Sequence, residues 1–230
     1  MYLLNCEDLM LISRRSFVAA AALLAALPAF SRAADGKIKV ACVGDSITFG
    51  AGVKEREKNA YPFVLQKLLG DKYEVKNFGV SGATMLKTGD NPYHKQKAYQ
   101  DALAFKPDVV VIKLGTNDSK PQNWDRHKAE YAADYRAMIE AFKQANPQVK
   151  VYCALPVPVV GKGNFGIRNE IVKPEIIPLI KQVAAATKSE VIDLYTLFEG
   201  KENLIPDKVH PNAEGAALIA GSVRGAIVRK

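Results

Sequence analysis

Five short strand candidates recur along the chain, and segments with helical periodicity separate them. The strand candidates are residues 38–43, 73–78, 108–114, 149–155 and 189–193. The helical segments are residues 61–69, 95–105, 125–145, 171–187 and 211–228. Such regular alternation predicts a parallel sheet with helices on both faces. We therefore expect an α/β protein, a three-layer α/β/α sandwich around a five-stranded parallel sheet.

Small polar residues follow the first three of these strands. Gly44-Asp45-Ser46 comes after the first strand, Asn77–Gly82 ends the second, and Gly115–Asp118 follows the third. In open parallel sheets, ligands bind outside the carboxyl ends of the strands. We therefore expect these segments to meet at one edge of the sheet and to form a site there.

Ser46 is a candidate nucleophile only if a base lies near it. A lone serine after a strand is more often the N-cap of a helix than a catalyst. The segment Asp207-Lys208-Val209-His210 supplies the missing partners, because a carboxylate three residues before a histidine can reach its ring. Pro211 suits the first position of the last helix, so His210 is expected at the mouth of that helix.

The four motif segments resemble those of the SGNH hydrolases, the group of GDSL esterases and lipases. The segments Gly44–Ser46, Asn77–Gly82, Gly115–Asp118 and Asp207–His210 stand in the order that this family has. The resemblance implies a triad in which Ser46 is the nucleophile, His210 is the general base, and Asp207 orients that base.

The same resemblance implies an oxyanion hole. Its donors would be the backbone amides of Ser46 and Gly82 and the side-chain amide of Asn117. The residue types agree with that role, because glycine allows a close backbone approach and asparagine offers two uncharged N–H donors. The alternative is that Gly82 and Asn117 are only turn residues.

Other residues near these segments have less specific expectations. Asp45 and Asp118 are expected to hydrogen bond to loop backbones and to hold the shape of the site, with substrate contact as the alternative for Asp45. Tyr93, Trp124 and Phe165 lie in segments that would rim the cleft. Their rings could stack on sugar rings, or they could pack the loops against the rest of the protein.

Several kinds of chemistry have no support in the sequence. Ser46 lies in Gly-Asp-Ser-Ile-Thr and not in Gly-x-Ser-x-Gly, so the nucleophile elbow of α/β-hydrolases is not indicated. With three histidines and no Cys/His cluster at metal spacing, we expect neither a metal nor a cofactor. The formal net charge is +8, but the lysines are scattered, so we expect no nucleic-acid partner. An acidic polysaccharide or an anionic surface remains an alternative partner.

The substrate hypothesis rests on one string and on one missing feature. Residues 115–124, Gly-Thr-Asn-Asp-Ser-Lys-Pro-Gln-Asn-Trp, are similar to the string in exported carbohydrate O-acetylesterases, including sialic-acid and xylan-type enzymes. The sequence has no long apolar lid, which a lipid substrate would favour. We hypothesise a serine esterase that removes short acyl groups, above all O-acetyl groups, from carbohydrates through an acyl-enzyme intermediate.

Two alternatives belong to other classes. The first is a lysophospholipase or thioesterase that acts on lipid or thioester substrates. The second is a non-catalytic glycan-binding relative, which the presence of Ser46, Asp207 and His210 disfavours, because an inactive relative usually loses one of them.

The N-terminus predicts export. Residues 1–33 have the features of a signal peptide, and residues 34–230 are expected to form a single hydrolase domain. Ser13-Arg14-Arg15-Ser16-Phe17 resembles the twin-arginine motif, and an apolar run and a small-residue cleavage site at Ala33 follow. The run is short for a bilayer span, so we expect a periplasmic or extracellular protein without an integral membrane span, with a retained anchor as the alternative.

Cys42 and Cys153 lie in the first and fourth predicted strands. We expect the flavodoxin-like strand order 2-1-3-4-5, in which these two strands flank the third and are separated by roughly 9–10 Å. That separation exceeds the reach of a disulfide, about 7 Å. We therefore predict two buried free thiols, even in an oxidising compartment.

Overall fold

The computed structural model describes residues 36–229. The predicted signal peptide, residues 1–33, lies outside the described residues. Among residues 36–229, no helix combines the length and the apolar character that crossing a bilayer requires.

The described residues contain a five-stranded sheet in the order β2-β1-β3-β4-β5, and every adjacent pair is parallel. The strands are β1 (Ile38–Gly44), β2 (Tyr73–Gly79), β3 (Val109–Lys113), β4 (Lys150–Ala154) and β5 (Glu190–Ile192). The predicted order and direction are confirmed. Since the chain crosses from β2 over β1 to β3, the strand order reverses beside β1. A crevice at the carboxyl ends of β1 and β3 is expected at such a reversal.

Helices cover both faces of the sheet. They are α1 (Ser46–Phe49), α2 (Arg56–Asn59), α3 (Tyr61–Leu69), α4 (Lys97–Ala104), α5 (Pro121–His127), α6 (Tyr131–Ala145), α7 (Asn169–Ile171), α8 (Ile177–Ala186), α9 (Leu194–Leu197) and α10 (Ala213–Val228). Val40 and Cys42 of β1 belong to the core that includes α3 and α10, whereas Ala41 and Val43 belong to the core that includes α4, α6 and α8. Successive side chains of a strand point to opposite faces, so β1 is apolar from Val40 to Val43, where both of its faces are buried.

Two of the predicted helices are divided in the structure. The predicted helix at 125–145 begins earlier, at Pro121, and a 3₁₀ turn at Lys128–Glu130 divides it into α5 and α6. The segment before α8 is a π-helical turn, Val172–Ile176. Pro174 lies inside this turn and has no N–H to donate, which disfavours ordinary α-helical hydrogen bonding there.

The start of the last helix was predicted wrongly at Pro211. The helix α10 begins at Ala213, and Asn212 is its N-cap, with the side-chain Oδ1 accepting a hydrogen bond from the Gly215 N–H at 3.0 Å. An asparagine side chain satisfies a free N–H of the first turn, which a proline ring cannot do. His210 consequently lies on the loop before the helix.

Cys42 and Cys153 are both buried and free, as predicted. Their strands lie on either side of β3. The strand register gives a second reason why these two cysteines form no disulfide with each other. Cys153 pairs across the sheet with Ile112 and belongs to one core, whereas Cys42 belongs to the other. The two thiols therefore point to opposite faces of the sheet.

Candidate active site

Ser46 is the first residue of α1, directly beyond the carboxyl end of β1. Asp45 caps this short helix, because its Oδ1 accepts a hydrogen bond from the Ile47 N–H at 2.9 Å. Ser46 lines a cleft of about 270 Å³ together with Gly82, Asn117 and His210. The chain therefore brings three of its predicted motif segments and the predicted base to one place.

His210 and Asp207 lie on the loop before α10 and complete a line of hydrogen bonds to Ser46. His210 Nε2 is 2.8 Å from Ser46 Oγ, and His210 Nδ1 is 2.6 Å from Asp207 Oδ2. The second carboxylate oxygen of Asp207 accepts the backbone N–H groups of Val209 at 3.0 Å and His210 at 2.6 Å. Lys208 has a φ of 74°, in the left-handed region, and this turn folds the loop around the carboxylate.

The surroundings of Asp207 keep it ionised. Partial burial raises the pKa of Asp207, but hydrogen bonds from the His210 backbone and ring and from the Val209 N–H outweigh burial and hold the pKa below its usual value. An ionised Asp207 favours the tautomer that carries its proton on Nδ1, which leaves Nε2 as an acceptor for the Ser46 hydroxyl. The arrangement can therefore withdraw a proton from Ser46.

The three residues predicted to supply oxyanion donors, Ser46, Gly82 and Asn117, all line the cleft. Within residues 36–229, neither the Ser46 nor the Gly82 backbone N–H donates to another protein group, so both are available to a ligand. Gly82 has a φ of 79°, which a residue with a Cβ adopts rarely. Asn117 Nδ2 donates to the Ala83 carbonyl at 3.1 Å, which uses one of its two N–H groups and leaves the second for a ligand.

Asp118 braces the backbone beside this donor cluster. Its two carboxylate oxygens accept the N–H groups of Met85 at 3.0 Å and Leu86 at 2.8 Å, so it holds the loop that follows Gly82. Burial raises the pKa of Asp118 to about 7, although the two N–H donors act in the opposite direction. The predicted role of Asp118 in holding a loop backbone is confirmed.

Asp45 does not contact substrate, and this predicted alternative is wrong. The residue has no exposed surface, and its carboxylate accepts hydrogen bonds from the Lys113 ammonium as well as from Ile47. The predicted role in holding the loop is confirmed.

The structure also overturns two predicted sugar-stacking residues. Tyr93 is 0% exposed and Trp124 is 1% exposed, so neither ring can lie against a substrate. The Tyr93 hydroxyl donates to a backbone carbonyl of β2, and Trp124 packs edge-on against Tyr131 while its Nε1 donates to Glu175 Oε2 at 2.9 Å. Both rings pack loops against the core, because each polar group finds its partner inside the protein.

Phe165 remains at the rim of the cleft. It is 63% exposed, it lines the cleft, and its ring centroid is 5.6 Å from that of His210. Arg168 anchors the loop that carries Phe165. Its side chain donates a hydrogen bond to the Ser119 carbonyl and forms an ion pair with Asp125 at 2.6 Å.

The same loop contains three glycines at regular spacing. Residues 161–166, Gly-Lys-Gly-Asn-Phe-Gly, match the spacing Gly-x-Gly-x-x-Gly. A dinucleotide-binding turn requires this pattern to follow a strand directly and to open a helix. Here β4 ends at Ala154 and the next helix begins at Asn169, so the pattern belongs to a rim loop.

Two lysines near the site were not identified as site residues in the sequence analysis. Lys120 lines the cleft, and its Nζ lies 3.4 Å from Asp90 Oδ2. Lys113 ends β3 and is 1% exposed, with its ammonium 3.0 Å from Asp45 Oδ2. A signal was present, because Lys113 is a charged residue that directly follows the run Val109–Ile112.

No candidate metal centre accompanies the site. Among residues 36–229, no group of three or more His, Cys, Asp or Glu side chains is placed so that it could hold a metal ion.

Two acetylxylan esterases are similar in sequence to this chain. An acetylxylan esterase from Xylanibacter ruminicola is 43% identical over 208 residues, which are 83% of this chain and 43% of that protein. The chain therefore spans less than half the length of this relative. An acetylxylan esterase from Geobacillus stearothermophilus is 28% identical over 157 residues, which are 64% of this chain and 68% of that protein.

A solved structure shows the same fold. The crystal structure of the acetyl xylan esterase AlAXEase superposes with a TM-score of 0.63 and 24% identity, over 83% of this chain and all of that one. The model of the GDSL-like lipase/acylhydrolase family matches residues 42–218, which include Ser46, Gly82, Asn117, Asp207 and His210. The chain thus belongs to the GDSL-like lipase/acylhydrolase family.

Proposed function

We propose that this protein is a serine esterase that removes short acyl groups, above all O-acetyl groups, from carbohydrates. One observation carries the proposal: Ser46 Oγ, the His210 ring and Asp207 form one continuous hydrogen-bonded line beside three N–H donors. The identity of 43% with an acetylxylan esterase supports the substrate class.

In the first step, His210 Nε2 takes the proton of the Ser46 hydroxyl while Ser46 Oγ attacks the ester carbonyl carbon. Asp207 stabilises the imidazolium that forms. The negative charge that develops on the carbonyl oxygen is received by the N–H groups of Ser46, Gly82 and Asn117. Such preorganised donors are typically worth 10²–10³-fold in rate each.

In the following steps, the tetrahedral intermediate collapses and the sugar hydroxyl leaves with the proton that His210 returns. The acyl group now forms an ester with Ser46. Water attacks this ester with His210 again as the base, and acetate and free Ser46 are released. The complete reaction consumes one water molecule and no other reagent.

The size of the cleft supports a short acyl group. Its volume of about 270 Å³ is small for a binding site, and the cleft is bounded by Ala51, Ile167 and Phe165 beside Ser46. An acetyl group fits such a space, while the attached sugar extends over the rim. A long fatty acyl chain requires a larger apolar channel. The alternative function is that of a lysophospholipase or thioesterase, and the acyl chain-length preference on p-nitrophenyl esters would distinguish it from an acetylesterase.

Export completes the proposal. The twin-arginine-like segment in residues 1–33 directs residues 34–230 to the periplasm or the exterior, where polymeric acetylated glycans are accessible. Cell fractionation with antibody detection tests this part, and retention of the protein in the cytoplasm would contradict it.

The deciding experiment compares acetate release by the wild-type protein and by Ser46→Ala, with acetylated xylan and acetylated sialic acid as substrates. Ser46→Ala is expected to lose roughly 10³-fold or more in kcat, as removal of a triad nucleophile does. Ser222→Ala, a half-buried serine on α10, is the matched control and should keep full activity. Equal acetate release by wild type and Ser46→Ala would refute the proposed nucleophile, and release of long-chain fatty acid without acetate would refute the substrate class.

A further inference from the structure

Lys113 and Asp45 form an ion pair directly beneath the proposed active site. The side chains are 1% and 0% exposed, so the pair is removed from water. Lys113 is the last residue of β3, and Asp45 follows the last residue of β1. These two strands are neighbours, and the Asp45 N–H also donates to the Lys113 carbonyl at 3.3 Å.

The ammonium group of Lys113 uses its donors on three acceptors. Nζ lies 3.2 Å from Asp45 Oδ1, 3.0 Å from Asp45 Oδ2, and 2.8 Å from Thr116 Oγ1. Asp45 precedes Ser46 in the chain, and Thr116 precedes Asn117. One buried cation therefore joins the residue before the proposed nucleophile to the residue before a proposed oxyanion donor.

Stability alone does not account for a charged pair at this position. Burying two charges carries a large desolvation penalty, and well-packed apolar side chains of similar volume often stabilise a core equally well or better. The rest of β3, Val109–Ile112, is apolar and fully compatible with the core. Desolvation lowers the pKa of Lys113, whereas the Asp45 carboxylate beside it favours the charged form.

We propose that Lys113 is a positioning residue, which sets the separation between Ser46 and the Asn117 amide through its contacts with Asp45 and Thr116. The proposal rests on the proposed esterase function. It assigns Lys113 no contact with substrate. Its effect is on the oxyanion, because the donors must be aimed at a position within a few tenths of an ångström, and a displacement of about 1 Å can reduce rate by about 10²-fold.

The first test is Lys113→Met, which keeps the length of the side chain and removes its charge and donors. With ethyl acetate as substrate, kcat is expected to fall by about 10–100-fold while KM changes by less than threefold, because the loss is felt in the transition state. Lys150→Met is the matched control, since Lys150 lies in β4 of the same sheet and pairs with Glu190 at 2.9 Å, away from the site. Its kcat should stay within twofold of wild type.

Thr116→Val provides a second test that leaves the ion pair charged. It removes one acceptor of the Lys113 ammonium and should lower kcat by at least threefold at unchanged KM. If Thr116 acts through Lys113, adding Thr116→Val to Lys113→Met should cause no further loss of kcat.

The outcomes separate the possibilities. A folded Lys113→Met with wild-type kcat overturns the proposal, even if its melting temperature falls, because a purely structural role would give that result. If Lys113→Met does not fold, Thr116→Val decides, and an unchanged kcat in that variant overturns the proposal. A wild-type protein that hydrolyses no ester refutes the proposed function itself, and the role of Lys113 falls with it.

Discussion

Phe165 is an exposed aromatic side chain beside His210, and its position gives it a testable role at the scale of one residue. Its ring is 63% exposed at the rim of the cleft. Stacking on a sugar ring would remove apolar surface from water, and burial of about 60 Å² is worth roughly 1.5 kcal/mol, or about tenfold in affinity. Phe165→Ala should therefore raise KM for acetylated xylo-oligosaccharides by about tenfold, as initial-rate measurements of acetate release would show.

Two controls separate stacking on sugar from support of His210. Ethyl acetate has no ring to stack, so its hydrolysis by Phe165→Ala should stay within about threefold of wild type. Phe165→Trp keeps an aromatic face and should retain the oligosaccharide KM. An equal loss on both substrates would show that the Phe165 ring serves His210 and not the sugar.

At the scale of elements, the carboxyl end of β2 and the helix α1 are packed backbone to backbone. A Cβ added at Gly79 would lie 2.1 Å from the Phe49 backbone nitrogen. Gly79→Ala must therefore displace α1, which begins with Ser46. We expect a loss of about 1–3 kcal/mol in the free energy of unfolding, measured with urea, and a reduced kcat on ethyl acetate.

Gly221→Ala is the matched control for Gly79→Ala. Gly221 lies inside α10, and a Cβ there would meet nothing within 4 Å. Alanine is the better helix former, so this variant should gain about 0.5–1 kcal/mol and keep wild-type kcat. A Gly79→Ala protein as stable and as active as wild type would contradict the backbone packing described above.

At the scale of the whole molecule, the sheet in residues 36–229 separates two cores, one of which contains Cys42 and the other Cys153. Burial raises the pKa of Cys42 to about 12 and that of Cys153 to about 11, so neither thiol reacts readily in the folded protein. In 6 M guanidinium, residues 34–230 should show two thiols that react with Ellman's reagent, and the native protein should show almost none.

The kinetics of this labelling test whether the two cores unfold together. Because the sheet is shared, both thiols should become reactive only in global unfolding. Cys42→Ala and Cys153→Ala proteins of equal stability should then be labelled at the same rate under native conditions. If one remaining thiol reacted ten times faster, the two cores would open independently, and a denatured protein without free thiols would refute the assignment of free cysteines.

Local sequence patterns were sufficient to predict where the strands of this protein lie and at which edge of the sheet the candidate site forms. The strand candidates matched all five strands to within one residue at each end. The clearest of them, Val109–Ile112 in β3, is apolar because a strand that is buried on both faces packs apolar side chains on each face. Parallel strands share one carboxyl edge, so the segments after β1, β2 and β3 were expected to converge, and Ser46, Gly82 and Asn117 do line one cleft. The catalytic roles of these residues stay a prediction.

Tertiary packing decided what local pattern could not. Tyr93 and Trp124 are residue types that often bind ligands, but both are buried, and Trp124 donates a hydrogen bond to Glu175, 51 residues away in sequence. In the sequence, Lys113 is an ordinary charged residue at the end of a strand. Its ion pair with Asp45 exists only because β1 and β3 are neighbours in the folded sheet. The positions of the strands follow from patterns within short segments of the chain, whereas the surroundings of a single side chain depend on segments far away in sequence, which only the folded protein brings together.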